Sequence, residues 1–239
     1  MEFAPARDPR LEECYFYHRM DLPGHGTVGS EWDLRDQVDE YLGHVDFSGK
    51  TAVDVGTASG FLCFEMEKRG AQVIGYDLSD AFDWDVVPYD GKPQREVIER
   101  TRTHLKFINN AWWFAHKALG SRARAVYGPV YEIDRRIEPV DIAVCGSILL
   151  HLRDPVLALE RIAAVCRETL IIAERDVDRP IFIPEPERRP MDTWWLYPAG
   201  YYEAILKIFG FRQFNVIQHR QQHAESGQQL DLYTLTARR

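Results

Sequence analysis

The sequence predicts an α/β protein: a Rossmann-like, doubly wound, seven-stranded sheet, mostly parallel with an antiparallel C-terminal strand, and helices on both faces. Three observations predict it. Between Thr51 and Glu174, short apolar runs alternate with helical patterns. The first run ends in a glycine turn that opens a helix, Gly56-Thr-Ala-Ser-Gly60, and the second ends on an acid, Asp77, 23 residues beyond Asp54. Two late runs are joined by the polar Gln221-Gln-His-Ala-Glu-Ser-Gly-Gln, a hairpin-like connection. The 239 residues, 45% of them apolar, suffice for one domain, 1–239, with a large core.

Each element follows from local chemistry. Residues 1–45 read as an aromatic lid followed by a helix. Glycines and a proline in Tyr15–Ser30 exclude a long regular element there. Ser30 stands as an N-cap with Asp33 in the capping-box place, and Leu34, Val38, Tyr41 and Leu42 recur at helical spacing. Thr51–Val55 is the first strand. The helix after Gly60 ends at Lys68-Arg-Gly70, a basic last turn with a C′ glycine. Gln72–Asp77 is the second strand. A plain crossover needs far less than the chain that follows, so 81–120 is read as a substrate-side insertion. It comprises an aromatic loop with Trp84 and a helix from Pro93 to about Leu119. Ala123–Gly128 and Val140–Ser147 are the third and fourth strands. Pro155 opens a helix at the favoured first position, running through Cys166. Glu168–Glu174 is the fifth strand. A second insertion, 176–200, is rich in Pro and Arg and holds Trp194 and Trp195. A helix near 199–209 and two strands, Arg212–His219 and Leu230–Thr236, close the sheet.

Charge and composition narrow the function. The net charge of −8 argues against a dedicated nucleic-acid surface, and acids interleave with the basic residues. Cys14, Cys63, Cys145 and Cys166 are dispersed without a CxxC pair, as expected of reduced, mostly buried thiols in a cytoplasmic protein. The N-terminus lacks an apolar signal region, and no apolar run is long enough for a bilayer. No Cys/His spacing suggests a metal.

The glycine turn is the centre of the chemistry. A helix begun at Gly60 aims unpaired N–H groups and its positive dipole end at a ligand. Gly56 and Gly60 are expected to leave room for that ligand. Asp54, inside an apolar strand, needs hydrogen bonds to its carboxylate, and accepting the turn's N–H groups is its expected role. Asp77 is placed to accept from two ribose hydroxyls, or to cap a helix. A dinucleotide site wants a third, middle glycine, and here that residue is Ala58. No P-loop signature occurs. A ligand with a ribose and no phosphate fits.

With these motifs in place the sequence resembles the class I S-adenosylmethionine-dependent methyltransferases over roughly 45–239. Val53–Phe61 looks like their first motif, Ile74–Asp77 like their ribose motif, and Cys145–Pro155 like their fourth-strand motif. The resemblance implies S-adenosyl-L-methionine as cofactor. Gly56, Thr57, Ser59 and Gly60 would line its methionine moiety and Asp77 its ribose. Leu78 would lie on the adenine, with Pro129, Val130 and Tyr131 on the other side. Gly146 and Ser147 would lie near the sulfonium. The segment Tyr17–Arg35 is similar to the subgroup containing the tRNA wobble-uridine carboxymethyl and methoxy transferases. Trp32 and Arg35 match a W-x-x-[KR] pattern that helps hold the cofactor there. Leu150 stands where the tRNA enzymes have a tyrosine that holds a carboxylated cofactor, and their basic N-terminal domain is not seen. Both departures point to ordinary S-adenosylmethionine and a small-molecule substrate.

The candidate catalytic residues are His151, as a general base at the strand's C-terminal edge, and Tyr17. Trp84, Trp194 and Trp195 are candidate substrate contacts, and aromatic faces also stabilise a cation. His18 and His25 are weaker alternatives for the base. His44, His104, His116, His219 and His223 read as surface or helix-face residues. Three functions are compatible with this sequence: methyl transfer to a small-molecule hydroxyl or amine, tRNA wobble-uridine modification, and intramolecular cyclisation of S-adenosylmethionine with release of methylthioadenosine.

Overall fold

The computed structural model describes residues 1–85, 94–183 and 193–239. In chain order its elements begin with β1 (Met20–Leu22), β2 (Gly26–Val28), β3 (Trp32–Asp33), α1 (Val38–Tyr41), β4 (Thr51–Val55), α2 (Phe61–Lys68) and β5 (Gln72–Asp77). Next come α3 (Gln94–Leu119), β6 (Arg124–Tyr127), α4 (Ile133–Arg136), β7 (Val140–Gly146), α5 (Pro155–Val165) and β8 (Cys166–Arg175). The chain ends with β9 (Ile181–Phe182), β10 (Trp195–Leu196), α6 (Ala199–Ile208), β11 (Gln213–His223) and β12 (Gln229–Arg238). Part of the aromatic loop read at 81–91, the helix start at Pro93 and the centre of the second insertion lie outside the described residues.

One eight-stranded sheet, ordered β3-β11-β12-β8-β7-β4-β5-β6, carries the fold. The five strands from β8 to β6 are parallel, and β12, β11 and β3 continue it antiparallel. The expected doubly wound sheet with a closing antiparallel pair is therefore present, with one strand more than the seven expected. Period-two alternation sorts side chains to the two faces. Ala52, Ile142, Val144, Ile171 and Ala173 pack under α2 and α3, while Val53, Val55, Ala143, Cys145 and Ile172 pack under α4, α5 and α6. Pro155 opens α5 as expected, with Asp154 Oδ1 accepting the Leu157 N–H at 2.9 Å.

The extra strand comes from the segment expected to be a helix from Ser30. Trp32 uses its backbone in pairing instead: its N–H reaches the Tyr17 carbonyl, and its carbonyl accepts from Arg19. Trp32 and Asp33 also stand opposite His223 and Gln222 of β11. Helix begins only at Val38, one turn before Leu42. Ser30 caps no helix; Asp33 instead closes a local turn, accepting the Arg35 N–H at 3.2 Å. The aromatic arm before it is packed down: Phe16, Met20 and Leu22 are buried in the α2–α3 core. His219, read as a surface residue, is buried on β11, with Nε2 2.9 Å from the Thr234 hydroxyl.

Candidate active site

The register places Val55 of β4 beside Tyr76 of β5 and Cys145 of β7, so the C-terminal ends of these strands share one edge. The chain moves outward from β4 through β5 to β6, then returns to β7 on β4's other side. This is the strand-order reversal at which such sheets bind ligands. The turn Gly56–Gly60 and the loop Ser147–Asp154 flank that crevice.

The turn is built from strained and glycine backbone. Gly56 and Gly60 have φ of +76° and +93°, and Ala58 sits in the same left-handed region at +47°. Gly56 and Thr57 both donate to the Tyr76 carbonyl, at 2.8 and 3.2 Å. The two glycines make room for protein as well as ligand. A Cβ on Gly56 would lie 2.7 Å from the Ile148 side chain, and one on Gly60 would lie 2.4 Å from Phe64 and 2.7 Å from Trp112. The space that each glycine leaves is thus filled at least in part by the chain's own side chains.

The turn-fixing role expected of Asp54 falls to Asp77. Asp77 fixes the turn: its Oδ2 accepts the Ala58 N–H and its Oδ1 the Leu78 N–H, both at 2.7 Å. Burial pushes its carboxyl up to about 6, and these two hydrogen bonds pull in the other direction. Each oxygen keeps a further acceptor position for hydroxyl groups. Asp54 is 2% exposed, and burial raises its carboxyl to about 7, opposed in part by the Thr57 hydroxyl and then by the backbone N–H of Cys63 in the first turn of α2. Among the described residues its Oδ2 has no partner in full hydrogen-bonding geometry, and the buried Thr57 hydroxyl beside it is not aligned for one either. Ser59 is fully buried.

The adenine-side residues expected at the ends of β5 and β6 do lie together. Gly128 donates to the Asp77 carbonyl at 2.9 Å, and the Tyr76 hydroxyl donates to the Pro129 carbonyl at 2.8 Å, next to the buried Val130. Asn109 of α3, which sequence reasoning missed, donates to the Leu78 carbonyl at 3.1 Å and is 1% exposed.

At the end of β7, Gly146 admits Tyr41, whose ring and hydroxyl would stand 2.9 Å from a Cβ there. The Tyr41 hydroxyl is 3.2 Å from the Ser147 hydroxyl. Ser147 is held at φ +50°, left-handed backbone for a non-glycine residue. The loop beyond is tied from four directions. Glu174, buried at the end of β8, accepts the Leu149 N–H at 3.0 Å, and burial raises its carboxyl to about 8. The Leu150 carbonyl accepts from the Trp194 backbone at 2.8 Å. The Arg153 N–H donates to Asp85 at 2.8 Å, and the Arg153 carbonyl accepts from the Trp195 indole at 3.3 Å. His151 sits in the middle of this loop, its N–H on the Ile148 carbonyl at 3.0 Å.

Both insertions therefore reach the same loop. Trp194 is 8% exposed, and its indole N–H has no partner among the described residues. Trp195 stacks on Phe182 at 4.3 Å between ring centres. Trp84 packs instead on His104 of α3, 5.8 Å between centres. The N-terminal arm closes the other side. The Trp32 indole donates to the Tyr17 hydroxyl at 3.0 Å, and the His18 N–H donates to the Ser59 hydroxyl at 3.3 Å. Arg35, expected on the cofactor, is committed elsewhere: it pairs with Asp33 at 2.7 Å and with Asp21 at 2.9 Å.

This arrangement agrees with comparison to known proteins. A methyltransferase-domain family model matches residues 31–222. The chain is similar to the tRNA U34 carboxymethyltransferase of Dichelobacter nodosus, 28% identical over 158 residues, 64% of this chain and 42% of that protein. It is similar to the ubiquinone biosynthesis O-methyltransferase of Stutzerimonas stutzeri, 24% identical over 124 residues, 52% of this chain and 43% of that protein. The chain thus spans less than half the length of these two relatives. In fold it resembles the Burkholderia thailandensis 1,6-didemethyltoxoflavin-N1-methyltransferase solved with its substrate and S-adenosylhomocysteine. The TM-score is 0.55 at 18% identity, over 86% of this chain and 77% of that one. With a family match over most of its length and the glycine turn, strand-end acids and fourth-strand loop at one sheet edge, the chain belongs to the methyltransferase-domain family.

Proposed function

We infer that the chain transfers a methyl group to a hydroxyl or amine of a small molecule. The observation that carries this reading is the loop of His151, braced by Glu174 and by both insertions beside the glycine turn. The residues present fit the cofactor. Asp54 Oδ2 is buried at the turn and, among the described residues, has no partner in full hydrogen-bonding geometry, which suits a ligand with an ammonium group. Asp77 has acceptor capacity left for a ribose, and Leu78, Pro129 and Val130 stand where an adenine would lie. When bound, S-adenosylmethionine supplies an electrophilic methyl group next to a positively charged sulfur.

The chain's own residues do the rest. Tyr17, Trp32 and Tyr41 present aromatic faces and hydroxyls on the sulfur side, where a cation is stabilised by roughly 0.5–2 kcal/mol per face. Trp194 walls the acceptor side, and its indole N–H offers the acceptor a hydrogen bond. His151 takes the proton from the acceptor's nucleophilic atom, held in place by a loop whose backbone is satisfied. The arm and the insertions keep water from the line of attack.

Incubating the protein with S-adenosylmethionine and a panel of phenols, carboxylic hydroxyl compounds and amines, with S-adenosylhomocysteine followed by mass spectrometry, tests the reading. Methylated product supports it. Methylthioadenosine formed without any acceptor replaces it with cofactor cyclisation. His151→Ala should lower kcat by about a hundredfold or more with cofactor affinity unchanged; full turnover removes His151 from the chemistry.

A second reading, tRNA modification, is favoured by the similarity to tRNA U34 carboxymethyltransferases. The net charge of −8 and Leu150 stand against it. Binding to tRNA that weakens steeply with salt would restore it.

A further inference from the structure

We propose that His18 is a cofactor-contact residue whose ring Nδ1 hydrogen-bonds the carboxylate of the methionine end. The proposal rests on the methyltransferase reading above.

Four observations carry it. The His18 backbone is anchored to the turn, its N–H on the Ser59 hydroxyl at 3.3 Å. Its ring lies against Phe61, the first residue of α2, 6.0 Å between ring centres and tilted by 39°. The backbone cannot drift away. Gly29, at φ +97°, lies so close that a Cβ there would stand 2.2 Å from the His18 carbonyl oxygen, and a β-bridge joins His18 to Trp32. Finally, Nδ1 is buried and has no hydrogen-bond partner among the described residues. A buried polar nitrogen held against the first turn of the helix that opens at the glycine turn, and satisfied by none of those residues, is satisfied by the ligand.

The chemistry selects the carboxylate. Asp54, with its free oxygen, is the partner for the ammonium of an amino-acid end. The arm's cations are engaged with carboxylates of the same arm: Arg35 with Asp33 and Asp21, and Arg19 with Asp33 at 3.9 Å. What remains for the ligand's carboxylate is the N–H groups of the first residues of the helix start and the imidazole. Burial lowers the His18 ring to about 4, so it is neutral at physiological pH and offers one N–H without adding charge.

The test uses two ligands that differ only at this end. S-adenosylhomocysteine carries the amino-acid group, whereas 5′-methylthioadenosine keeps the adenine, ribose and thioether and lacks it. Isothermal titration of wild type, His18→Ala and His18→Asn with both gives the answer. His18→Ala should weaken S-adenosylhomocysteine by about tenfold to a hundredfold, as expected for a hydrogen bond to a charged group. Methylthioadenosine should bind within about twofold of wild type, which also shows that the variant is folded. His18→Asn, whose amide N–H falls near the position of Nδ1, should recover part of the loss. Unchanged S-adenosylhomocysteine affinity in both variants overturns the proposal, and so does an equal loss for the two ligands. Wild type that binds neither ligand overturns the methyltransferase reading itself, a different outcome from either.

Discussion

Replacing Asp77 by Asn should destabilise the protein before any ligand is added. Asp77 spends both carboxylate oxygens on backbone N–H groups, from Ala58 and Leu78, each at 2.7 Å. The isosteric amide keeps one acceptor and turns the other into a donor aimed at an N–H. One charge-assisted bond is lost and one turn N–H is left unpaired, which together cost about 2–4 kcal/mol. For a chain of this size each kcal/mol is about 2–4 °C in melting temperature, so the ligand-free variant should melt about 4–16 °C lower. Differential scanning calorimetry at pH 5 and pH 8 is the assay: burial raises the wild-type carboxyl to about 6, so its contribution falls as pH rises, and the deficit of the variant should be largest at pH 5 and smaller at pH 8. Affinity for S-adenosylhomocysteine should fall in the same variant, through both the loosened turn and the weakened ribose contact. A ligand-free melting temperature within about 1 °C of wild type would show that the two short contacts do not hold the turn, and the assignment would fail.

Other outcomes follow from the same geometry. Burial holds Asp54 and Glu174 up, to about 7 and about 8. The folded chain therefore binds more protons than the unfolded one from about pH 4 upward, and their contribution to stability is lost as pH rises through about pH 7–8. Accordingly, the melting temperature of Asp54→Asn relative to wild type should climb between pH 5 and pH 8, and a gap that stays constant rejects the assignment. Ala58 carries left-handed backbone at φ +47°, a strain of about 1–2 kcal/mol that glycine would relieve at a backbone-entropy cost of about 0.5–1 kcal/mol. Ala58→Gly should thus raise the melting temperature by about 1–3 °C, and a lower one would contradict the strain.

Much of the frame was legible because it rests on local pattern. The parallel strands show as short apolar runs, the turn as glycines before a helix, and α5 as Asp154-Pro155 before an apolar face. What stayed hidden depends on pairing across long distances. Leu34, Val38, Tyr41 and Leu42 have helical spacing, but the backbone of Trp32 was already claimed by Tyr17, Arg19 and β11. The spacing between Asp54 and Asp77 marks a ligand-binding unit without saying which acid receives the Ala58 N–H. His18 meets Ser59 across 41 residues, so nothing local distinguishes it from His25. The commitment of Arg35 was partly visible, since Asp33 stands two residues before it.

The loop from Ser147 to Asp154 has an evolutionary consequence. Its backbone is a shared anchor for two segments, Asp85 from one insertion and Trp194 and Trp195 from the other. Acceptor preference and proton handling are therefore mechanically linked. A change of length or sequence in either insertion pulls on the peptide that carries His151. New acceptors are reached most readily by paired changes, one in an insertion and a compensating one in the loop, and transplanting an insertion alone from a relative would move the base along with the pocket wall.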